Sequence, residues 1–137
     1  RTGLPFAVGF VAWEGATLLS GESLERAART VLDLGAAAVG VNCLPIANLE
    51  RCRRALVDLG APLLASPNLG EPEPRTGFAR DATKDPSGFF EAFEGWLVER
   101  RGGIVGGCCG TTPAHITALA ARLGRAASAV HEPTPTR

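Results

Sequence analysis

A fourfold alternation between short apolar runs and amphipathic segments is the feature that most limits how this chain can fold. The apolar runs cover residues 4–11, 36–41, 62–65 and 103–107. Each run is short enough to be a buried strand, and each is followed by a segment whose apolar residues recur at helical spacing. The pattern predicts four strand–helix units, and therefore a parallel sheet covered by helices with right-handed crossovers.

Cap and turn residues indicate where the predicted helices begin and end. Ser23 and Asp85 are N-cap candidates, and Gly35 stands where the end of a helix favours a positive φ. The last helix is predicted to end before Gly124, with the polar, proline-containing residues 125–137 forming a frayed tail.

Two architectures fit four such units. One is an open, doubly wound sheet, and the other is a (β/α)₈ barrel, which needs about 250 residues, so that this chain would supply half of it. In both, functional groups gather at the carboxyl ends of the strands, where Asn42-Cys43 and Cys108-Cys109 fall. Residues 66–84 form a long polar connection of the kind that is often functional.

The charge balance excludes several classes of protein. The chain of 137 residues carries 14 Lys and Arg against 14 Asp and Glu, which argues against a nucleic-acid binder or a polybasic membrane binder. It has neither an apolar run of roughly 18 residues nor a signal peptide, so we expect a soluble, cytoplasmic protein. It contains no Met and opens with Arg1, which favours a processed or excised piece.

The four cysteines fall into two groups. Cys52 lies on the apolar stripe of the second helix and is interpreted as a small core residue. Cys43, Cys108 and Cys109 each follow a strand, so they can converge on one point above the sheet. Three thiolates suit a catalytic zinc ion, which keeps its fourth position open. A vicinal disulfide at Cys108-Cys109, or two small residues in a tight turn, are the alternatives.

Two histidines and a glycine-rich turn leave further alternatives open. His115, in the first turn of the last helix, could reach the cysteines, although a capping or solvent-facing position is commoner. His131 lies in the tail and is given no role. Residues 103–110 lead into a helix N-terminus, where backbone N–H groups can hold phosphate, but the run lacks both the G-x-G-x-x-G pattern and a P-loop Lys. A nucleotide-binding module is therefore only a weak alternative.

Two sequence motifs, in this order, carry a resemblance to a known family. They are Gly40-Val-Asn-Cys43 and Gly106-Gly-Cys-Cys-Gly-Thr-Thr-Pro-Ala-His-Ile116, and they resemble the zinc-binding signatures of the homocysteine S-methyltransferase family. Similar stretches are Gly3-Leu-Pro-Phe, Gly21-Glu-Ser and Ser66-Pro-Asn-Leu-Gly-Glu71. The resemblance covers about residues 3–124.

The resemblance implies a fold and a set of site residues. The family fold is a (β/α)₈ barrel, and residues 1–124 look like its C-terminal half, the fifth to eighth strand–helix units. Cys43, Cys108 and Cys109 match the zinc ligands, and no other catalytic residue is implied. Asn42 and Asn68 match polar positions beside the site and are candidates for substrate binding. The alternative for both is a turn residue that bonds its own backbone.

The resemblance also implies a reaction. A thiol such as that of homocysteine has a pKa of about 8.5, and coordination to Zn²⁺ deprotonates it. Methyl transfer from S-methylmethionine, betaine or methyltetrahydrofolate then gives methionine, with the missing half of the barrel needed for substrate binding. The alternative is a non-catalytic remnant of the fold that binds zinc or acts through thiol redox chemistry. Half a barrel would expose two strand edges, so self-association is also expected.

Overall fold

Strands and helices alternate along the chain. The computed structural model describes residues 3–12, 15–70, 72–73, 77–78, 85–97 and 103–129. The elements are, in chain order, β1 (Ala7–Phe10), α1 (Leu24–Asp33), β2 (Ala38–Pro45), α2 (Leu49–Leu56), β3 (Leu63–Asn68), β4 (Pro72–Glu73), β5 (Gly77–Phe78), α3 (Pro86–Glu91), α4 (Glu94–Leu97), β6 (Gly103–Val105) and α5 (Pro113–Ala129).

The central sheet is parallel and keeps the order of the chain. Its strands run β1, β2, β3, β6, and every neighbouring pair is parallel. The predicted α/β class is therefore confirmed. A doubly wound sheet reverses its strand order at a switch point, whereas the strands of a (β/α)₈ barrel follow one another without reversal. The order seen here is that of consecutive barrel units. The short strands β4 and β5 form a separate antiparallel pair.

One face of the sheet carries the hydrophobic core. Val39 and Val41 on β2 are fully buried against the helices, because alternate residues of a strand point to the same face. The other large buried side chains of the core come mainly from the helices and the segment around β3: Leu24, Leu44, Leu49, Leu56, Leu63, Phe89, Phe93, Trp96 and Leu119.

The opposite face of the sheet is open. It borders a cavity of about 370 Å³ lined by Gly9, Asn42, Leu64, Ser66 and Ile104, together with the chain that follows β6. Ile104 is 52% exposed there. Parallel sheets normally have both faces covered, so an uncovered face is unusual, and it is observed here for the described residues.

The predicted helix caps are present. Ser23 Oγ accepts a hydrogen bond from the Arg26 N–H at 3.4 Å, and an Asp85 carboxylate oxygen accepts one from the Gly88 N–H at 2.7 Å. Gly35 follows α1 with a φ of 97°, as expected for a residue that ends a helix.

Several boundaries differ from those predicted. β1 begins only at Ala7, because Pro5 has no N–H to donate to a neighbouring strand. The third predicted helix is interrupted at Ala92 and Phe93, which divides it into α3 and α4. β2 continues beyond the predicted end at Val41 as far as Pro45. Of the expected loop 66–84, the described part contains the end of β3 and the β4–β5 pair, and the remaining residues lie outside the described ranges.

The predicted end of the last helix is wrong. α5 runs through Gly124 to Ala129, so the first part of the expected tail is helical. An isolated Gly weakens a helix by only about 1 kcal/mol, and the Ala-rich residues after it favour continuation. Residues 130–137, including His131, lie outside the described residues. Within α5, His115 is buried, whereas its apolar neighbour Ile116 is 43% exposed.

No helix among the described residues is both long enough and apolar enough to span a bilayer.

Gly40 allows β2 and β3 to pair, and it provides a test of the sheet. A Cβ at this position would lie 1.8 Å from the Leu64 carbonyl oxygen. We expect Gly40→Ala to destabilise the chain by about 3 kcal/mol or more, since backbone atoms would have to move. The matched control is Gly124→Ala in α5, which meets nothing within 4 Å and should stabilise the chain by about 0.5–1 kcal/mol. Urea unfolding measures both changes, and equal effects would contradict the close approach of the two strands.

Candidate metal centre

Three cysteine side chains gather at the carboxyl ends of β2 and β6. The sulfur atoms of Cys43, Cys108 and Cys109 all lie within 4.8 Å of one another, and those of Cys108 and Cys109 are 3.8 Å apart. All three are free thiols and partly buried. The expected convergence of these residues is present, and the separate, buried position of Cys52 in α2 also agrees with the sequence analysis.

An irregularity in β2 directs Cys43 towards the cluster. The register with β3 shifts between Asn42 and Pro45, and Cys43 has a φ of 55°. As a result, Asn42 and Cys43 are both partly exposed, although neighbouring residues of a regular strand would face opposite sides. Such a conformation of a non-glycine residue costs about 1–3 kcal/mol and is common at functional sites.

Backbone hydrogen bonds attach the Cys108-Cys109 pair to the end of β3. The Cys108 N–H donates to the Pro67 carbonyl oxygen at 2.9 Å, and the Leu69 N–H donates to the Cys109 carbonyl oxygen at 2.9 Å. These bonds continue the β3–β6 pairing beyond the last residue of β6. The position of the two thiols is therefore set by the sheet.

Thr111 closes the turn that carries the two cysteines. Its N–H and its hydroxyl both donate to the Cys108 carbonyl oxygen, at 3.2 and 2.7 Å. A Cβ on Gly107 would lie 2.5 Å from Thr111 Oγ1, and Gly110 has a φ of 82°. Gly107 thus allows Thr111 to approach the backbone closely, and Gly110 supplies the positive φ that the turn requires.

Cys43 holds its proton more tightly in the metal-free chain than an ordinary thiol does. Burial, followed by the neighbouring Cys108 and then Cys109 thiols, raises the pKa of Cys43 from 9.0 to about 11. A bound cation would favour the ionised form of this thiol. Metal ligands must be deprotonated, so metal binding here would release protons.

The arrangement fits a tetrahedral thiolate metal. Zinc binds cysteine sulfur at about 2.3 Å, which places two sulfurs of a tetrahedral site about 3.8 Å apart. The Cys108–Cys109 separation already has this value, whereas a disulfide would require about 2.05 Å. Soft sulfur donors favour zinc, and a catalytic zinc ion is held by three protein ligands with its fourth position left to water or substrate.

The two asparagines occupy different positions beside the cluster. Asn68 is 1% exposed, and its Oδ1 accepts a hydrogen bond from the Cys109 N–H at 3.3 Å. This hydrogen bond therefore joins Asn68 to a backbone group that is distant in the sequence and not to its own turn. The Asn68 Nδ2 is buried without a hydrogen-bond partner among the described residues. Asn42 is partly exposed and lines the open cavity next to Cys43.

His115 caps α5. Its Nδ1 accepts a hydrogen bond from the Thr112 N–H at 3.1 Å, and the side chain is buried. It is not among the ligand-type side chains that gather within 4.8 Å in the described part of the chain. The capping position anticipated from the sequence is present, whereas the solvent-facing one is wrong.

The backbone contacts at Pro67 and Leu69, and the contribution of Ser66 to the cavity, were not identified from the sequence. The Ser66-Pro-Asn-Leu-Gly-Glu71 stretch was the available signal, since it includes these residues.

The glycine-rich turn does not favour phosphate binding. A phosphate site needs several N–H groups without internal partners. In this turn, internal acceptors already take the N–H groups of Gly106, Cys108, Cys109, Thr111 and Thr112.

Consecutive parallel βα units with a thiol cluster at the carboxyl ends of the strands define a barrel-type protein with a thiolate site. The family model for homocysteine S-methyltransferase matches residues 1–123. The chain belongs to the homocysteine S-methyltransferase family, whose fold is a (β/α)₈ barrel, and the resemblance seen in the sequence is confirmed.

Curated relatives point to the same family. The chain is similar to methionine synthase of Mycobacterium leprae, with 32% identity over 111 residues that make up 80% of this chain and 9% of that protein. It is also similar to methionine synthase of Mycobacterium tuberculosis, with 36% identity over 109 residues, 78% of this chain and 9% of that protein. The chain thus spans only about a tenth of the length of these relatives.

The buried Cys52 thiol provides a pH test of the fold. Burial raises its pKa from 9.0 to about 11. As pH rises from about 9 to about 11, the unfolded chain loses this proton before the folded chain does, so folding stability falls. In the metal-free chain we expect Cys52 to account for about 1–3 kcal/mol of that fall.

Cys52→Val should therefore show a smaller loss of stability over this range. The measurement is urea unfolding at pH 8 and pH 10.5 with a reductant and a chelator. Parallel losses in the wild type and the variant would argue against ionisation of a buried Cys52.

Proposed function

We propose that the chain carries the zinc site of a homocysteine S-methyltransferase, which methylates the thiol of homocysteine to give methionine. The observation that carries this proposal is the three-thiol cluster at the carboxyl ends of β2 and β6 in a chain of this family. The cytoplasm suits the proposal, because free cysteines are the normal state of a reducing compartment.

In this proposal Cys43, Cys108 and Cys109 hold Zn²⁺. Bound there, the metal lowers the pKa of a coordinated substrate thiol and keeps its sulfur in the nucleophilic thiolate form. The chain's own contribution is preorganisation. The β2 irregularity fixes one donor, and the bonds to the end of β3 fix the other two, so little rearrangement is needed on binding.

Asn68 and Asn42 are the proposed substrate-binding residues. The unpartnered Nδ2 of Asn68 is a buried donor beside Cys109, and a buried donor without a partner carries a cost that an acceptor on a ligand would remove. Asn42 lines the open cavity and directly precedes Cys43 in the chain. The cavity is therefore the proposed approach for the substrate.

The proposal also covers the rest of the barrel and the methyl donor. Residues 1–124 are proposed to be the C-terminal half of the family barrel, which needs the N-terminal half for activity. S-methylmethionine, betaine and methyltetrahydrofolate are the candidate methyl donors.

A second candidate function is favoured by the Cys108–Cys109 pair. Two free thiols 3.8 Å apart on adjacent residues could form a disulfide by exchange with a small-molecule disulfide, which is reduced to two thiols, as in a redox-responsive remnant of the fold. In such a remnant the reduced pair would bind zinc without turnover, and formation of the disulfide would release the metal.

Metal stoichiometry tests the proposed site. The reduced chain should bind one Zn²⁺, and replacing Cys43, Cys108 or Cys109 singly by Ala should weaken binding strongly, since three ligands are needed. Cys52→Ala is the matched control and should still bind one Zn²⁺, because Cys52 is buried in α2. Zinc is counted by atomic emission after dialysis against a weak chelator.

Turnover separates the two candidate functions. With the four N-terminal units of the family barrel supplied, zinc-loaded protein should form methionine from homocysteine and one of the three donors. Zinc binding without any homocysteine-dependent turnover would favour the redox-responsive remnant. Failure of the wild-type chain to bind zinc would contradict the proposed site itself.

Self-association is proposed through the edges of the sheet. β1 and β6 each have one strand neighbour in the described sheet, and the face beside them is open. Unpaired strand edges are ready templates for pairing with another chain. In the absence of the other barrel half, we expect two copies of this chain to associate.

Ile104→Lys should shift the chain towards the monomer, because it places a charge on the open face. The control is Leu34→Lys, which alters a more exposed apolar residue at the end of α1, away from that face. Sedimentation equilibrium gives the mass at several concentrations. A wild-type chain that is a monomer at every concentration would refute self-association.

A further inference from the structure

The side chain of His115 returns to the residue that precedes α5. Its Nδ1 lies 3.1 Å from the Thr112 backbone nitrogen and 2.8 Å from the Thr112 hydroxyl oxygen. A backbone N–H can only donate, so Nδ1 carries the lone pair and the proton of the neutral ring is on Nε2. Glu or Gln normally makes this contact from the third helical position, in a capping box. Here an imidazole takes their place.

The contact is made at the exit of the turn that bears the cysteines. Cys109 lies three residues before Thr112, and the turn between them is closed by the two bonds from Thr111 to the Cys108 carbonyl oxygen. The entry of the turn is held by the bond from Cys108 to Pro67. The His115 contact therefore fixes the one end of the turn that the sheet does not hold.

The imidazole ring is itself held by the core. His115 is 6% exposed, and its ring meets the Phe89 ring edge to face with centroids 5.5 Å apart. Phe89 in turn packs against Phe93 with centroids 5.1 Å apart, and both are fully buried. Rotation of the His115 ring away from Thr112 would open a hole in this packing. A flexible Glu or Gln would not anchor the turn to α3 in this way.

We propose that His115 is a positioning residue for the thiol cluster, which it serves by tying the exit of the Cys108-Cys109 turn to the core between α3 and α5. This inference rests on the proposed zinc site. The lone pair on Nδ1 is essential for this role, because the packing of the ring alone would not hold the turn in place. Loss of the acceptor should weaken metal binding even when the packing is kept.

Two variants separate the acceptor from the packing. His115→Phe keeps an aromatic ring against Phe89 but has no acceptor, whereas His115→Gln keeps an acceptor at the third helical position and loses the ring. We expect His115→Phe to weaken Zn²⁺ binding about tenfold, the lower range for loss of a supporting contact. His115→Gln should bind Zn²⁺ more tightly than His115→Phe. Competition with a chromophoric chelator measures the affinities.

A spectroscopic readout distinguishes positioning from general stability. The thiolate-to-metal absorption of the Co²⁺-loaded chain reports the arrangement of the sulfur ligands. It should change in His115→Phe and be partly restored in His115→Gln, which regains the acceptor but not the ring packing. The melting temperature of each metal-free variant is measured alongside. Thr117→Val is the control in the same helix, since it removes a hydroxyl bond to the Pro113 carbonyl oxygen and should leave zinc affinity unchanged.

The outcomes are separable. If the wild type binds one Zn²⁺ and His115→Phe binds it equally well, the positioning role is wrong while the proposed zinc site stands. If zinc affinity follows melting temperature instead of the presence of the acceptor, the role is also wrong. If the wild type binds no zinc, both fail. Should His115→Phe not fold, His115→Met gives the same comparison, because Met fills irregular core space without a strong acceptor.

Discussion

The hydrogen bonding between β3 and the chain after β6 is the interaction on which the rest of the site depends. The ladder pairs Leu63 with Gly103 and Ala65 with Val105, and it then continues through the bonds from Cys108 to Pro67 and between Leu69 and Cys109. Because β2 pairs with the other edge of β3, the same strand also fixes the distance to Cys43. One central strand therefore sets the spacing of three sulfur atoms from two distant parts of the sequence.

Several local departures from low-energy structure meet at the carboxyl end of this sheet. Cys43 has a positive φ, Asn68 buries an unpartnered amide nitrogen, and the pKa of Cys43 is raised by burial and by the thiols beside it. The positive φ and the unpartnered nitrogen are costs to folding, and all three features lie at or beside the thiol cluster. Strain, unsatisfied polar groups and perturbed pKa values concentrate at functional sites. The core on the helical side, with Val39, Val41 and the buried leucines, offsets these costs.

The second face of the central sheet is not covered by helices in the described part of the chain. The helices cover one side of the sheet, while the other side presents small and polar residues such as Gly9, Asn42 and Ser66 to a cavity. Consecutive parallel strand order is a feature of the (β/α)₈ barrel, which is the fold of the family. The thiol cluster is assembled by this chain alone.

The sequence by itself determined the βα alternation, the caps at Ser23 and Asp85, and the residue types of the site. These depend on local periodicity, on short-range hydrogen bonds and on a highly specific motif, all of which are visible along the chain. Tertiary structure decided the irregularity at Cys43, the burial of His115 in place of Ile116, and the break between α3 and α4. It also decided the contact between Asn68 and Cys109, because such features arise where strands distant in sequence pair and where side chains compete for one core.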